Sequence, residues 1–107
     1  MRTVIGLFEG ADQAREALDD LVEFGAVQEQ ITLLARRDDS SAFDRAIADY
    51  RIQANGAAQG DESVLLIITV LSTFDADLAR DTMVRHGAKT VATRVKVWPH
   101  KRVVKLL

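Results

Sequence analysis

A chain of 107 residues, 48% hydrophobic and 28% charged, is sized for one compact domain that buries roughly 65% of its unfolded surface without a disulfide or structural metal. It contains no cysteine, which excludes thiol nucleophiles, CxxC redox pairs, cysteine-ligated zinc and disulfide frameworks. The formal charge of −2 hides an asymmetry: residues 1–84 hold all 16 acids and 7 bases, whereas residues 85–107 hold 7 bases and no acid.

The first element is β-rich and unbroken over residues 3–8, and Gly10-Ala-Asp12 ends it. Over residues 12–24, Ala14, Ala17, Leu18, Leu21 and Val22 recur at helical spacing with Asp19, Asp20 and Glu23 opposite, and Gly25 supplies the stop. Residues 31–35 form a second strand, ending in Arg36-Arg-Asp-Asp39. Ser41-x-x-Asp44 matches a capping box ahead of Phe43, Ala46, Ile47 and Tyr50, which predicts a short helix there. Glycines and polar residues make 55–61 a loop, and residues 64–71 are a third, wholly apolar strand but for Thr69. Ser72-x-x-Asp75 opens a helix running through Ala76, Ala79, Thr82 and Met83 to Gly87. Residues 91–98 are the fourth strand, closed by Pro99. The longest apolar run has eight residues, too short to cross a bilayer as a helix, and the N-terminus lacks a long apolar leader segment; a cytoplasmic protein without membrane contact is expected.

The chain repeats itself at an offset of 62 residues. Ala14, Ala17, Asp19, Leu21, Val22, Gly25 and Ala26 fall on Ala76, Ala79, Asp81, Met83, Val84, Gly87 and Ala88. Two strand-helix-strand halves with right-handed crossovers predict an α+β, ferredoxin-like βαββαβ domain. Its four-stranded antiparallel sheet has the order 4-1-3-2, with two main helices on one face and an extra short helix between strands 2 and 3. Within this single domain, residues 1–36 are the first half, 37–62 the inserted helix and loop, 63–98 the second half and 99–107 a basic-apolar tail. Strands one and three are apolar on both faces, as central strands are, and strand four alternates as an edge does.

Two-sided apolar strands raise the question of what covers the face away from the helices. The exposed set is either Ile5 and Leu7 with Leu65, Ile67 and Leu71, or Val4 and Phe8 with Leu66, Ile68 and Val70. Such a patch is too apolar to face water. Its cover is a second subunit, the helix near Phe43 to Tyr50, or the tail of residues 103–107; a homodimer through the sheet face, with Ile5, Leu7, Leu65, Ile67 and Trp98 at the interface, is the expectation.

Catalytic groups are sparse. His86 precedes a helix-ending glycine, where a cation favours the helix dipole, and His100 follows Trp98-Pro99 beside Lys101 and Arg102. No His–carboxylate cluster has metal spacing and no nucleophile elbow is present, so no catalytic residue, metal site or cofactor is expected. Strand three has no aromatic to stack on a base, which argues against nucleic acid. Walker A and dinucleotide-binding glycine patterns are absent. Arg94, Lys96 and Trp98 share one face of strand four, and with His100, Lys101 and Arg102 they are candidates for an anionic small ligand. The same residue types also suit a dimer interface. The connection from Arg36 to Glu62 is long for a hairpin and could be a functional loop.

Val4-Ile-Gly-Leu-Phe-Glu-Gly-Ala-Asp12, continued through Gly25 and Ile31-Thr-Leu-Leu-Ala-Arg36, resembles the bacterial general stress protein (heat-induced stress protein) family. So do Val64-Leu-Leu-Ile-Ile-Thr-Val-Leu71 and Ala79-Arg-Asp-Thr-Met-Val-Arg-His-Gly-Ala88, though Asp61-Glu62 stands where members often have a glycine pair. The resemblance implies a small ferredoxin-like cytosolic protein linked to stress, with no catalytic residues to carry over. Three functions follow. The first is a non-enzymatic stress-related or regulatory module acting by self-association. The second is a PII-like sensor of a nucleotide or other anion, and the third is a small dimeric α/β-barrel enzyme using His86 or His100.

Overall fold

The computed structural model describes residues 1–53 and 60–95. Four strands, β1 (Arg2–Phe8), β2 (Ile31–Ala35), β3 (Val64–Val70) and β4 (Thr90–Val95), form one antiparallel sheet in the order β2-β3-β1-β4. Counted from the β4 edge, the same row runs 4-1-3-2. Helices α1 (Ala11–Glu23), α2 (Ser40–Asp49) and α3 (Thr73–Arg85) make the architecture α+β and compatible with a ferredoxin-like arrangement. β1 and β3 are the central pair, which is why both are apolar on both faces.

The sheet has a core on each side. On one face, α1 and α3 bury Ala14, Ala17, Ala76, Ala79 and Met83 against Val4, Phe8, Val64, Leu66 and Ile68. The alanines let the helices approach the sheet closely, and Met83 fills the remaining space between them. On the other face, Phe43 of α2 and Ile52 just after it are buried with Ile5, Leu7 and Leu65, and Ala46, Ile47 and Tyr50 pack around them. The expected dimer surface is therefore internal: Ile5, Leu7 and Leu65 are all 0% exposed within one chain, and Ile67 packs at the margin of the same core. The amphipathic α2 does what a second subunit was expected to do. Leu71, grouped with them in the sequence, lies beyond the end of β3 and is 73% exposed.

The three α-helices of the described residues end in the same way. After α1, Gly25 N–H donates to the Val22 carbonyl and Ala26 N–H to that of Leu21; after α3, Gly87 and Ala88 repeat this with Val84 and Met83. This six-to-one and five-to-two pattern needs a left-handed residue between helix and exit, and Gly25 (φ 108°) and Gly87 (φ 91°) provide it. After α2, Arg51 N–H and Ile52 N–H bond to Ala48 and Ile47, but the left-handed position is held by Arg51 itself, at φ 55°.

Ser72 caps α3 as its sequence signature predicts, its Oγ accepting from Asp75 N–H. The α2 cap differs from expectation. The carboxylate of Asp39, rather than the hydroxyl of Ser41, accepts from a first-turn amide, that of Ala42, so the helix begins at Ser40. The base of the insertion is pinned by Arg36 N–H to the Ser63 carbonyl and by an Arg37–Glu62 ion pair.

Because Phe43 is the largest side chain buried in the core under α2, Phe43→Ala is expected to lower unfolding free energy by about 3–5 kcal/mol in urea titrations. A loss below about 1 kcal/mol would show that α2 does not close that core.

Candidate functional site

The seal over the second face is incomplete. Across β3, β1 and β4, residues in register share a face: Leu65, Leu7 and Thr90 in one row, Ile67, Ile5 and Ala92 in the next, then Thr69, Thr3 and Arg94. α2 covers the apolar rows. The third row is polar, and there the sheet is left open beside the C-terminal end of α2.

A cleft of about 450 Å³ results, lined by Thr3, Tyr50, Arg51, Thr69 and Arg94, with Asp49 and Met1 at its margin. Thr3 is 8% exposed, so its hydroxyl sits at the floor. The Arg94 guanidinium donates from Nη2 to the Arg51 carbonyl and from Nη1 to the Thr93 carbonyl, both at 3.1 Å. These bonds fix the orientation of a planar cation without neutralising it, since carbonyls carry no formal charge. The Thr90 hydroxyl donates to the Gln53 carbonyl at 2.9 Å, tying the exit from α2 to β4 a second time.

The left-handed Arg51 is what makes this possible. A non-glycine residue there costs on the order of 1 kcal/mol relative to glycine. In return it brings a second guanidinium to the cleft and aims its own carbonyl at Arg94. Two arginines, two threonine hydroxyls and a phenol surround the opening, with one carboxylate, Asp49. The set can bind an oxyanion, and the Tyr50 ring offers an apolar wall. It contains no imidazole or thiol to move a proton or attack a substrate.

Arg94 is thus the one sequence-predicted ligand residue that the described part of the chain places in a cleft. Lys96, Trp98, His100, Lys101 and Arg102 lie outside the described residues, as does most of the predicted loop at 55–61. Sequence reasoning missed Thr3, Tyr50, Arg51 and Thr69. A signal existed for Arg51: the helix ending Ala48-Asp-Tyr-Arg-Ile52 lacks the glycine that closes the other two.

His86 belongs elsewhere. As the C-cap residue of α3, it places Nε2 2.6 Å from Asp20 Oδ2 and Nδ1 3.7 Å from Glu16 Oε2, both on α1. An ionised carboxylate only accepts, so Nε2 carries the proton in that contact. The ring is 19% exposed and lines neither of the clefts beside β4, so it ties the two repeat helices together rather than serving a pocket. His86 thus stands at the end of α3 as the sequence predicts, and its contact with Asp20 adds a tie to α1. No group of metal-ligating side chains occurs among the described residues. No helix among them is long and apolar enough to cross a membrane.

Comparison with family models, curated proteins and solved structures found no match to this chain.

The tie predicts energetic coupling. In a double-mutant cycle of Asp20→Ala and His86→Ala, the interaction energy is expected near 1 kcal/mol, read from urea midpoints. Strict additivity would show the contact to be incidental.

Proposed function

We propose that this protein is a non-catalytic, ferredoxin-like binding module that takes a small anionic ligand in the cleft between α2 and the open row of the sheet. The observation that carries the reading is Arg51. Both repeat helices end on glycine, while the helix beside the cleft accepts a left-handed arginine whose carbonyl orients Arg94. Unfavourable backbone conformations that persist at a cleft point to a role for it. The ligand class is an oxyanion, a carboxylate or a phosphate, carried on a body small enough for about 450 Å³. A cytoplasmic anion sensor, resembling PII-like proteins in logic, also suits the resemblance to general stress proteins, whose members would then report the level of a metabolite.

Self-association is a second reading, but through a different surface from the sheet face. Leu71 and Phe74 are 73% and 75% exposed at the start of α3, and Phe24 is 53% exposed beside a groove it shares with Leu78. Sedimentation of Phe74→Ser against the unaltered chain tests it: a homodimer using this end dissociates, and one using another surface does not.

A thermal-shift panel of inorganic phosphate, dicarboxylates and nucleoside monophosphates tests the ligand reading. A specific ligand at 100 times its Kd stabilises by about 2.7 kcal/mol. Arg94→Ala should abolish that shift. Arg51→Gly should do something a merely structural residue would not: raise the stability of the free protein by about 0.5–1 kcal/mol while weakening the ligand response. No shift with any member of the panel, or an Arg51→Gly protein that is both less stable and fully responsive, overturns the proposal.

A further inference from the structure

Among the described residues the sheet has two edge strands, β2 and β4, and their surroundings differ in charge. β2 (Ile31–Ala35) contributes Ile-Thr-Leu-Leu-Ala, without a charged residue. β4 is the edge on the other side, pairing only with β1 among the described strands. A shallow trough runs along it, separate from the α2 cleft except at Arg51 and Arg94, and Arg80, Lys89, Thr90 and Thr93 also line it. Arg80 reaches it from α3, its Nη1 3.5 Å from the Val91 carbonyl. Lys89 stands at the start of β4 and pairs with Glu9 at 2.9 Å, an exposed contact that water and salt weaken. Four cations therefore border one strand edge, and one carboxylate answers them.

We propose that the β4 edge is a docking strip for an extended, acidic segment of a partner protein, which adds as a fifth strand while its carboxylates meet Arg80 and Lys89 and the outer sides of Arg51 and Arg94. A strand edge presents backbone donors and acceptors that an extended segment satisfies along its length; at β4 the Val91 and Thr93 carbonyls accept from Arg80 and Arg94, whose guanidiniums turn to the incoming carboxylates as the segment adds. A compact oxyanion or a nucleic acid satisfies the cations and leaves the backbone row to water. The charge then selects among peptides. Cations on an edge also repel a copy of the same edge, so β4-to-β4 pairing between two of these chains is disfavoured. The β2 side is of mixed charge, with Arg15 and Arg37 among Asp38, Asp61 and Glu62, so the excess of cations is particular to β4. A strand added beside β4 points alternate side chains to the two faces of the sheet, towards Arg80 on the α3 side and towards Arg51 and Arg94 on the α2 side. Acids at successive positions of the segment can therefore be used on both faces.

The test uses the full chain with two labelled decapeptides, one of Glu-Glu-Thr repeats, which places acids on both faces of an added strand, and the other with lysine in place of every glutamate. Fluorescence anisotropy is expected to show the acidic peptide binding at least tenfold more tightly, with affinity falling as salt rises. Amide hydrogen exchange should slow in β4 and stay unchanged in β2. Arg80→Glu with Lys89→Glu, both at exposed positions outside the α2 cleft, should weaken the peptide at least tenfold and leave the response to small anions intact. Thr69→Val, confined to the α2 cleft, should do the reverse, so this proposal and the ligand reading can fail separately. Equal affinity for the two peptides overturns the inference. So does acidic-peptide binding without slower exchange in β4, which is adhesion by charge alone. So does slower exchange in β4 that grows with protein concentration and needs no peptide, which puts a second copy on the edge.

Discussion

A sheet whose central strands are apolar on both sides must be covered on both sides, and the rest of this structure follows from how the second cover is supplied. The first comes from the two repeat helices, each of 13 residues. The second comes from α2, which has 10 residues and so reaches only about 15 Å. The seven-residue strands beneath it run about 23 Å. A cover that short leaves a strip of sheet bare. The strip falls on the row Thr69, Thr3 and Arg94, where the sequence has changed from aliphatic to polar, so the uncovered part is also the part that tolerates water. The cleft is the difference in length between a helix and a strand.

The end of α2 shows how the sequence adapts to that gap. Its terminal hydrogen bonds are those of α1 and α3, so the exit geometry itself is ordinary. Glycine at the left-handed position would give the same bonds at lower conformational cost. Arginine gives them together with a guanidinium at the cleft mouth and a carbonyl that holds Arg94. Buried Ile52 follows at once and anchors the exit in the core under α2, which keeps Arg51 in place against its intrinsic preference. Local strain and local packing are adjacent in sequence because the second holds the first.

Much of the architecture was legible because it rests on local rules. The 62-residue offset, the glycines at 25 and 87 and the Ser72 cap each specify a backbone feature within a few residues, and each is present in the structure. The cover on the second face was less legible for a thermodynamic reason. Burying Ile5, Leu7 and Leu65 under Phe43 or under another subunit removes the same apolar area from water, and the sequence does not distinguish the two. A rule of proximity would have favoured α2, since an element already tethered to β2 and β3 is present at high effective concentration. The cleft residues were hidden because they come from four separate segments. Thr3, Thr69 and Arg94 become neighbours only through strand register, and Tyr50 and Arg51 join them only once α2 is docked. Arg94 was found because alternation along a single strand is visible in one window of sequence.

The division of labour between repeat and insertion has a physical basis. α1 and α3 face each other and the sheet, and the His86–Asp20 contact closes their far ends, so this layer is occupied with its own packing. A functional substitution there would disturb a core in which every alanine sets a helix-to-sheet distance. The insertion is under weaker restraint: it needs enough apolar area to seal two rows of the sheet, and its polar end is free to vary. Arg51, Arg80, Lys89 and Arg94 border the two openings beside β4, where the insertion stops, whereas beside β2 Arg15 and Arg37 stand among Asp38, Asp61 and Glu62. The cleft lies where the repeat leaves a face unfinished, and the helix that finishes it decides how much remains open.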